Sequence, residues 1–247
     1  MGQFEMKTNE EAFSDKHKRS NKVWELFKFL LINRNKRLHP NNIVEELWPD
    51  QEYIDPKDAV KSLVYRLRRL LKQHKSLKDH VFIDSSQGCY LFYLSEDSWV
   101  DIDEFESLSF KAKENNHKER ETAMFYYHNA ISLYRGTFLS EYPCKSWVFP
   151  IRQYYRRLYT NNLIDLVELL KETEEYRAIQ NLCEKAFIID LLIETEKIHV
   201  HYMEALVAEG QVADALSHFD FIKTVLEKEL GIGPSDYMTE YYKSLKR

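Results

Sequence analysis

The sequence predicts a mainly α-helical protein in two parts: three helices closed by a β-hairpin, then an all-α run of paired helices. Three observations predict it. Between residues 56 and 72 apolar residues recur at helical spacing, with cations on the opposite face. Immediately afterwards two short β-prone runs flank a polar, Gly-containing turn. From residue 100 onward one helical pattern follows another, separated by short polar or Gly-containing links. Composition agrees: six Gly and six Pro are few for 247 residues, and 14% aromatic residues supply large side chains for a core.

In chain order, residues 4–8 read as an edge strand with Asn9-Glu10-Glu11 as its turn, and Lys16-His17-Lys18-Arg19 is a short basic run. Ser20 or Asn21 caps the first helix, whose buried stripe is Val23, Leu26, Phe27, Leu30 and Leu31. Asn41-Asn42 caps a second, shorter helix carrying Ile43, Val44, Leu47 and Trp48, and Pro49 stops it. Asp55 is an N-cap and Pro56 fits the first position of the third helix, where its missing N–H costs nothing. Val60, Leu63, Val64, Leu67, Leu70 and Leu71 share one face of that helix. Asp58, Ser62, Tyr65 and Arg69 point the other way, flanked by Lys61, Arg68 and Lys72 on one side and Arg66 on the other. Strands at 81–83 and 90–94 enclose Asp84-Ser85-Ser86-Gln87-Gly88-Cys89 as a hairpin. Three helices and a hairpin in this order are the layout of a winged helix-turn-helix. The competing reading is a helix docked by its apolar face beneath an ordinary solvated surface.

The second part predicts helices over 102–115, 119–134, 146–172, 175–188, 195–209, 212–230 and 235–246. Ala123, Ala178 and Ala215 open similar helices at unequal separations, an irregular repeat rather than a strict period. Residues 186–216 have the order of a tetratricopeptide unit, with small residues for close helix approach and Gly210 as a break. A helical-pair solenoid supplies a binding surface; a plain helical bundle is the alternative.

Several classes are excluded. Cys89, Cys144 and Cys183 are far apart and form no CxxC pair, which argues against a zinc ribbon or disulfide framework and fits a reducing cytoplasm. The N-terminus shows no basic-then-apolar signal pattern, and the longest apolar stretch, 186–193, is too short to span a bilayer. No cofactor is expected, because no phosphate-binding glycine loop, nucleophile elbow or HExxH motif is present. His199 and His201 point about 200° apart on a helix, so they read as core or surface histidines rather than metal ligands. Tyr154-Tyr155-Arg156-Arg157 reads as packing surface, with either arginine as a partner or anion contact. An enzyme therefore has no supporting constellation. The charge of −5 is uneven: residues 1–94 hold 17 Lys and Arg against 13 Asp and Glu, and residues 95–247 hold 18 against 27. Such asymmetry is expected if only the first part approaches phosphates.

Longer motifs add a resemblance. Trp24-Glu25-Leu26-Phe27-Lys28-Phe29-Leu30-Leu31, Glu46-Leu47-Trp48-Pro49-Asp50, the stretch 59–71 and Ile83-Asp84-Ser85-Ser86-Gln87-Gly88-Cys89-Tyr90 resemble the OmpR/PhoB-type winged helix. Val100-Asp101-Ile102-Asp103-Glu104-Phe105, Tyr134-Arg135-Gly136-Thr137-Phe138-Leu139, Ser146-Trp147 and Glu229-Leu230-Gly231-Ile232-Gly233-Pro234-Ser235 continue the match. Together they resemble the SARP-type bacterial regulators, in which a winged helix (here 1–97) precedes a bacterial transcriptional activation domain of tetratricopeptide type (98–247). The resemblance implies a cytoplasmic, sequence-specific regulator that binds double-stranded DNA. Its helical domain would dimerise, contact RNA polymerase or receive a signal.

Carried over by residue, the resemblance places 56–74 in the major groove. Lys57, Lys61, Ser62, Tyr65 and Arg66 would meet DNA, with Asp58, Lys61, Ser62 and Arg66 nearest the base edges. Arg66 is the first choice for a specific contact. Arg68, Arg69 and Lys72 would hold phosphates, though an internal ion pair is the alternative for Arg68. Ser86 and Gln87 form the wing contact. This tip lacks the arginine that such wings often carry, so its contact should be weaker. Asp58 suits the helix dipole and either accepts from a cytosine amino group or stays clear of DNA. The rival function is a helical-repeat scaffold whose winged helix binds protein rather than DNA.

Overall fold

The computed structural model describes residues 1–7, 12–13, 21–74, 77–191 and 195–246. The chain forms two compact units: residues 3–100 with 139–151, and residues 1–2 with 101–138 and 152–247.

The first unit opens with strands β1 (Met6–Lys7) and β2 (Ala12–Phe13), an antiparallel pair in which Met6 faces Phe13. The turn expected at 9–11 and the basic run at 16–19 lie outside the described residues. Helix α1 (Asn21–Ile32) leads through β3 (Arg37–Leu38) to α2 (Pro40–Leu47). Here the sequence reading is corrected: His39, not Asn41-Asn42, is the N-cap, its Nδ1 accepting from Asn41 N at 3.3 Å. Pro40 occupies the first helical position and so begins the helix earlier. Helix α3 (Pro56–Gln73) starts as expected. One carboxylate oxygen of Asp55 accepts from Lys57 N at 2.8 Å and from Asp58 N at 3.2 Å, satisfying two of the helix's orphan donors.

The hairpin strands are longer than predicted, β4 (Val81–Ser86) and β5 (Cys89–Leu94), because the turn contracts to Gln87-Gly88 alone. Both turn residues have positive φ, 53° and 75°, the left-handed geometry of a two-residue turn matched to strand twist. Strand β5 is central, with β3 on one side and β4 on the other. Val60, Leu63, Val64, Leu67 and Leu71 of α3 pack in the core with Leu26, Leu30, Ile43, Leu47 and Phe92. Phe27 meets Phe92 edge-on at 5.6 Å between ring centres.

Helix α1 departs from the predicted stripe: residues 23–30 are all buried, Glu25 and Lys28 included. The cause is the segment 139–151, which comes from the second half of the sequence. Glu25 accepts from Trp48 Nε1 at 2.9 Å and Trp147 Nε1 at 3.5 Å, and pairs with Lys145 Nζ at 2.7 Å. Lys28 Nζ lies 2.8 Å from Glu141 Oε1 and over the rings of Phe4 and Tyr142, 4.9 and 4.3 Å from their centres. Phe29 meets Trp147 edge-on at 5.5 Å. Two buried charges on one helix are tolerated only because each is paired.

The second unit is all-α, as expected: α4 (Asp101–Asn115), α5 (Arg120–Leu133), α6 (Phe149–Glu172), α7 (Tyr176–Ile189), α8 (Lys197–Ala208), α9 (Val212–Val225) and α10 (Asp236–Leu245). Helix α6 follows a short 3-10 turn at Ser146–Val148, and its residues from 152 onward belong to this unit. Sequence neighbours pair in space, α4 with α5, α7 with α8 and α8 with α9. This is the helical-pair arrangement expected from the sequence. Tyr134 stacks on Tyr159 at 4.2 Å, and Asn162 donates to Ser109 Oγ at 2.7 Å inside the core. At the far end Val200, Met203, Ala215, Phe219, Ile222 and Met238 form one cluster. A wide π turn after α9 ends at Gly231, whose φ of 68° is the left-handed cap that favours glycine.

Candidate nucleic-acid interface

Helix α3 sorts its side chains sharply. Val60, Leu63, Val64, Leu67 and Leu71 are buried, Leu70, expected on the same face, is only half-buried at its edge, and Lys57, Asp58, Lys61, Ser62, Tyr65, Arg66, Arg69 and Lys72 are exposed. At 100° per residue, Lys61, Tyr65, Arg69 and Lys72 form one stripe, and Asp58, Ser62 and Arg66 an adjacent one. Among the described residues none hydrogen-bonds or ion-pairs with the side chains of Lys61, Arg66, Arg69 or Lys72. The face therefore carries Lys57, Lys61, Arg66, Arg69 and Lys72 against Asp58, and these cations are not neutralised internally. Tyr65, 67% exposed, sets a large aromatic ring among them. Asp58 stands in the first turn and Lys72 in the last, the placement that the helix dipole favours.

Arg68 is placed differently. It is half-buried, and both Nε (3.1 Å) and Nη2 donate to the carbonyl oxygen of Ile83 on β4. The guanidinium thus ties α3 to the hairpin instead of joining the outward stripe. The internal alternative fits its position at the edge of the apolar face, with a backbone carbonyl in place of a carboxylate. Its charge also opposes, in part, the upward push that burial gives the Tyr90 hydroxyl pKa.

The hairpin stands beside the helix with Ser86 and Gln87 exposed at its tip, as expected. Phe82 and Tyr93 stack across the strands at 5.1 Å, and Tyr93 donates its hydroxyl to Asp84 at 3.2 Å. That bond, with desolvation as the larger cause, raises the Tyr93 pKa. One residue at the tip escaped the sequence reading. Arg37, exposed on β3, reaches the turn and donates from Nη1 to Ser86 Oγ at 3.1 Å and Gln87 Oε1 at 3.4 Å. It lies 49 residues before Ser86, so no local pattern linked them; only the pairing of β3 with β5, Arg37 opposite Leu91, brings it there.

Family models match the chain in two blocks. A transcriptional regulatory protein C-terminal model matches residues 15–91, and a bacterial transcriptional activator domain model matches residues 100–246. The chain belongs to the bacterial transcriptional activator domain family. A winged helix followed by this domain is the arrangement of the SARP-type regulators. Both matched families are regulatory rather than enzymatic. Among solved structures, Mycobacterium tuberculosis EmbR in complex with a low affinity phosphopeptide superposes with a TM-score of 0.73 at 18% identity. The match covers 100% of this chain and 63% of that one, so the activator-domain chain spans less than two thirds of EmbR's length. At that identity the likeness speaks for the fold. No curated protein matches in sequence.

The remaining chemical candidates of the activator-domain chain resolve into packing. His199 and His201 are both buried. His199 Nδ1 lies 3.1 Å from His218 Nε2, its Nε2 lies 3.1 Å from the Leu191 carbonyl, and its ring stacks on Phe187 at 4.5 Å. Burial depresses the pKa of His199 to about 4 and of His218 to about 3, so both are neutral near pH 7. His201 Nδ1 lies 2.6 Å from Lys171 Nζ and 2.9 Å from Glu204, joining α8 to α6. Arg156 pairs with Asp190 at 2.7 Å. Among the described residues no group of three His, Cys, Asp or Glu could hold a metal ion, and no helix is long and apolar enough to cross a membrane.

Proposed function

We propose that the winged-helix unit binds double-stranded DNA sequence-specifically, with α3 in the major groove. The observation that carries this is the exposed cationic face of α3, unneutralised by any of the described residues and standing beside the hairpin. On this reading Arg66, with Asp58, Lys61 and Ser62, addresses base edges, and Lys57, Arg69 and Lys72 hold phosphates. Tyr65 packs against the groove wall, and Ser86 and Gln87 meet the flanking backbone. The helical unit dimerises, contacts RNA polymerase or receives a signal, and the chain works in the cytoplasm.

Fluorescence titration of the full chain against selected and random duplexes, across salt concentrations, tests this. Arg66→Ala should cost about 1–3 kcal/mol on the selected sequence and little on random DNA. Lys72→Ala should weaken both equally and lower the salt slope by about one. Equal losses on both duplexes for Arg66→Ala would remove the base-reading role. A wild-type chain with no salt-dependent DNA affinity would favour the scaffold instead.

A further inference from the structure

We infer that a hollow in the helical unit, lined by α6, α7 and the chain leaving α5, binds a small carboxylic acid with an apolar body. This gives a chemistry to the reading above in which the helical unit receives a signal, and rests on that reading for its role. The hollow has a volume of about 310 Å³, at the low end of small-molecule sites. Its lining is graded by exposure. Tyr134, Tyr159 and Leu182 are buried and form the floor, and Ile131 and Ile189 are half-buried and form the wall. Arg135 and Lys185 stand exposed at the mouth.

Local sequence builds this gradient. Helix α5 ends at Leu133, and its C-cap Tyr134 is extended, with φ −85° and ψ 104°. Successive side chains of extended backbone point to opposite sides. Tyr134 therefore turns inward to stack on Tyr159 at 4.2 Å, and Arg135 turns out. On α7, Leu182, Lys185 and Ile189 recur at helical spacing, which sets one face of that helix over the hollow.

Charge narrows the ligand. Among the described residues none ion-pairs or hydrogen-bonds with the side chain of Arg135 or Lys185. Asp190, whose charge reaches both tyrosines, is already held by Arg156 at 2.7 Å. Burial, the main cause, pushes the Tyr134 hydroxyl up to about 12 and raises that of Tyr159 as well. Both stay neutral near pH 7, so no phenolate repels an anion. Two unclaimed cations above an apolar, uncharged floor match one negative group on an apolar body, and a guanidinium–carboxylate pair is both strong and directional. A free phosphate fits less well, since it has no apolar surface to bury on the floor and wall.

The test titrates the full chain with hydrocinnamate as probe and hydrocinnamamide as its uncharged counterpart, read by ligand-observed NMR. The acid should bind with a Kd of about 1 mM or tighter, the scale for a ligand of this size, and the amide at least about fivefold more weakly. Arg135→Gln and Lys185→Gln should each weaken the acid by about three- to tenfold and leave the amide unchanged, a split that a general loss of structure does not give. Lys185→Glu should reject the acid and favour phenylpropylamine. Acid and amide binding alike, an acid affinity unmoved in both glutamine variants, or no binding of the acid by the wild type each overturn the site. Duplex titration at saturating hydrocinnamate separates the site from its role. A change of about fivefold or more in DNA affinity supports signal reception, whereas bound acid with unchanged DNA affinity keeps the site and removes that role.

Discussion

Glu141→Ala should destabilise the winged-helix unit, although residue 141 lies far from it in sequence. Lys28 is 1% exposed, its ammonium 2.8 Å from Glu141 Oε1, whose side chain is 24% exposed. Removing one partner of a buried pair typically costs about 3–5 kcal/mol, and less where the remaining charge keeps other contacts. Here the rings of Phe4 and Tyr142 continue to face the ammonium and offset about 1 kcal/mol or more of that. The expected loss is therefore about 2–3 kcal/mol, or about 8–12 °C in melting temperature for a unit of this size. All four tryptophans, Trp24, Trp48, Trp99 and Trp147, lie in this unit, so indole fluorescence in a denaturant titration reports it selectively. Lys28→Met should cost less, because Glu141 can rehydrate, and the double variant should cost much less than the sum of the singles. Additive costs, or a fluorescence transition unmoved by Glu141→Ala, would refute the claim that 139–151 completes the winged-helix unit.

Two further outcomes follow from named contacts. Arg68→Met should lower the stability of the winged-helix unit by about 1–3 kcal/mol, because the Ile83 carbonyl loses a charged donor, yet leave the salt slope of DNA binding unchanged. A slope reduced by about one would return Arg68 to the phosphate contacts. The helical unit should weaken in acid through His199 and His218. Their folded pKa values, about 4 and about 3, lie below the ordinary value of 6.5, so the unfolded chain takes up protons first as pH falls. The stability they contribute is complete above about pH 6.5 and is lost as pH falls towards 4. His199 alone accounts for about 3 kcal/mol of it. Helical circular dichroism during thermal melts from pH 7 to 4 reads this directly. His218→Phe should flatten the dependence, and an unchanged slope would refute the assignment.

Much of the cationic face of α3 was legible because its determinants are local. Asp55 and Pro56 set the start of α3, and the spacing of Val60, Leu63, Val64, Leu67 and Leu71 decides which face turns inward. The outward positions of Lys61, Arg66, Arg69 and Lys72 then follow from geometry. The hairpin was visible from β-prone runs around Gly88, but its strand ends were not, since a two-residue turn depends on Gln87 accepting positive φ. The cap of α2 was missed because His39 is an uncommon capping residue beside two asparagines that are common ones. Arg68 sat at the boundary between faces, where periodicity alone cannot choose between carbonyl and phosphate.

The amino-acid order by itself determined the helix–hairpin succession, the two-faced third helix and the paired helices after residue 100, all consequences of neighbours within a turn or a strand. Only tertiary structure decided that residues 23–30 of α1 are buried all round, that Glu25 and Lys28 are paired from 139–151, and that Arg37 stands at the wing tip. Those facts depend on pairings across roughly 50 to 120 residues of chain, and such pairings leave no periodic trace: an exposed cation and one awaiting a distant carboxylate are written identically until the chain has folded.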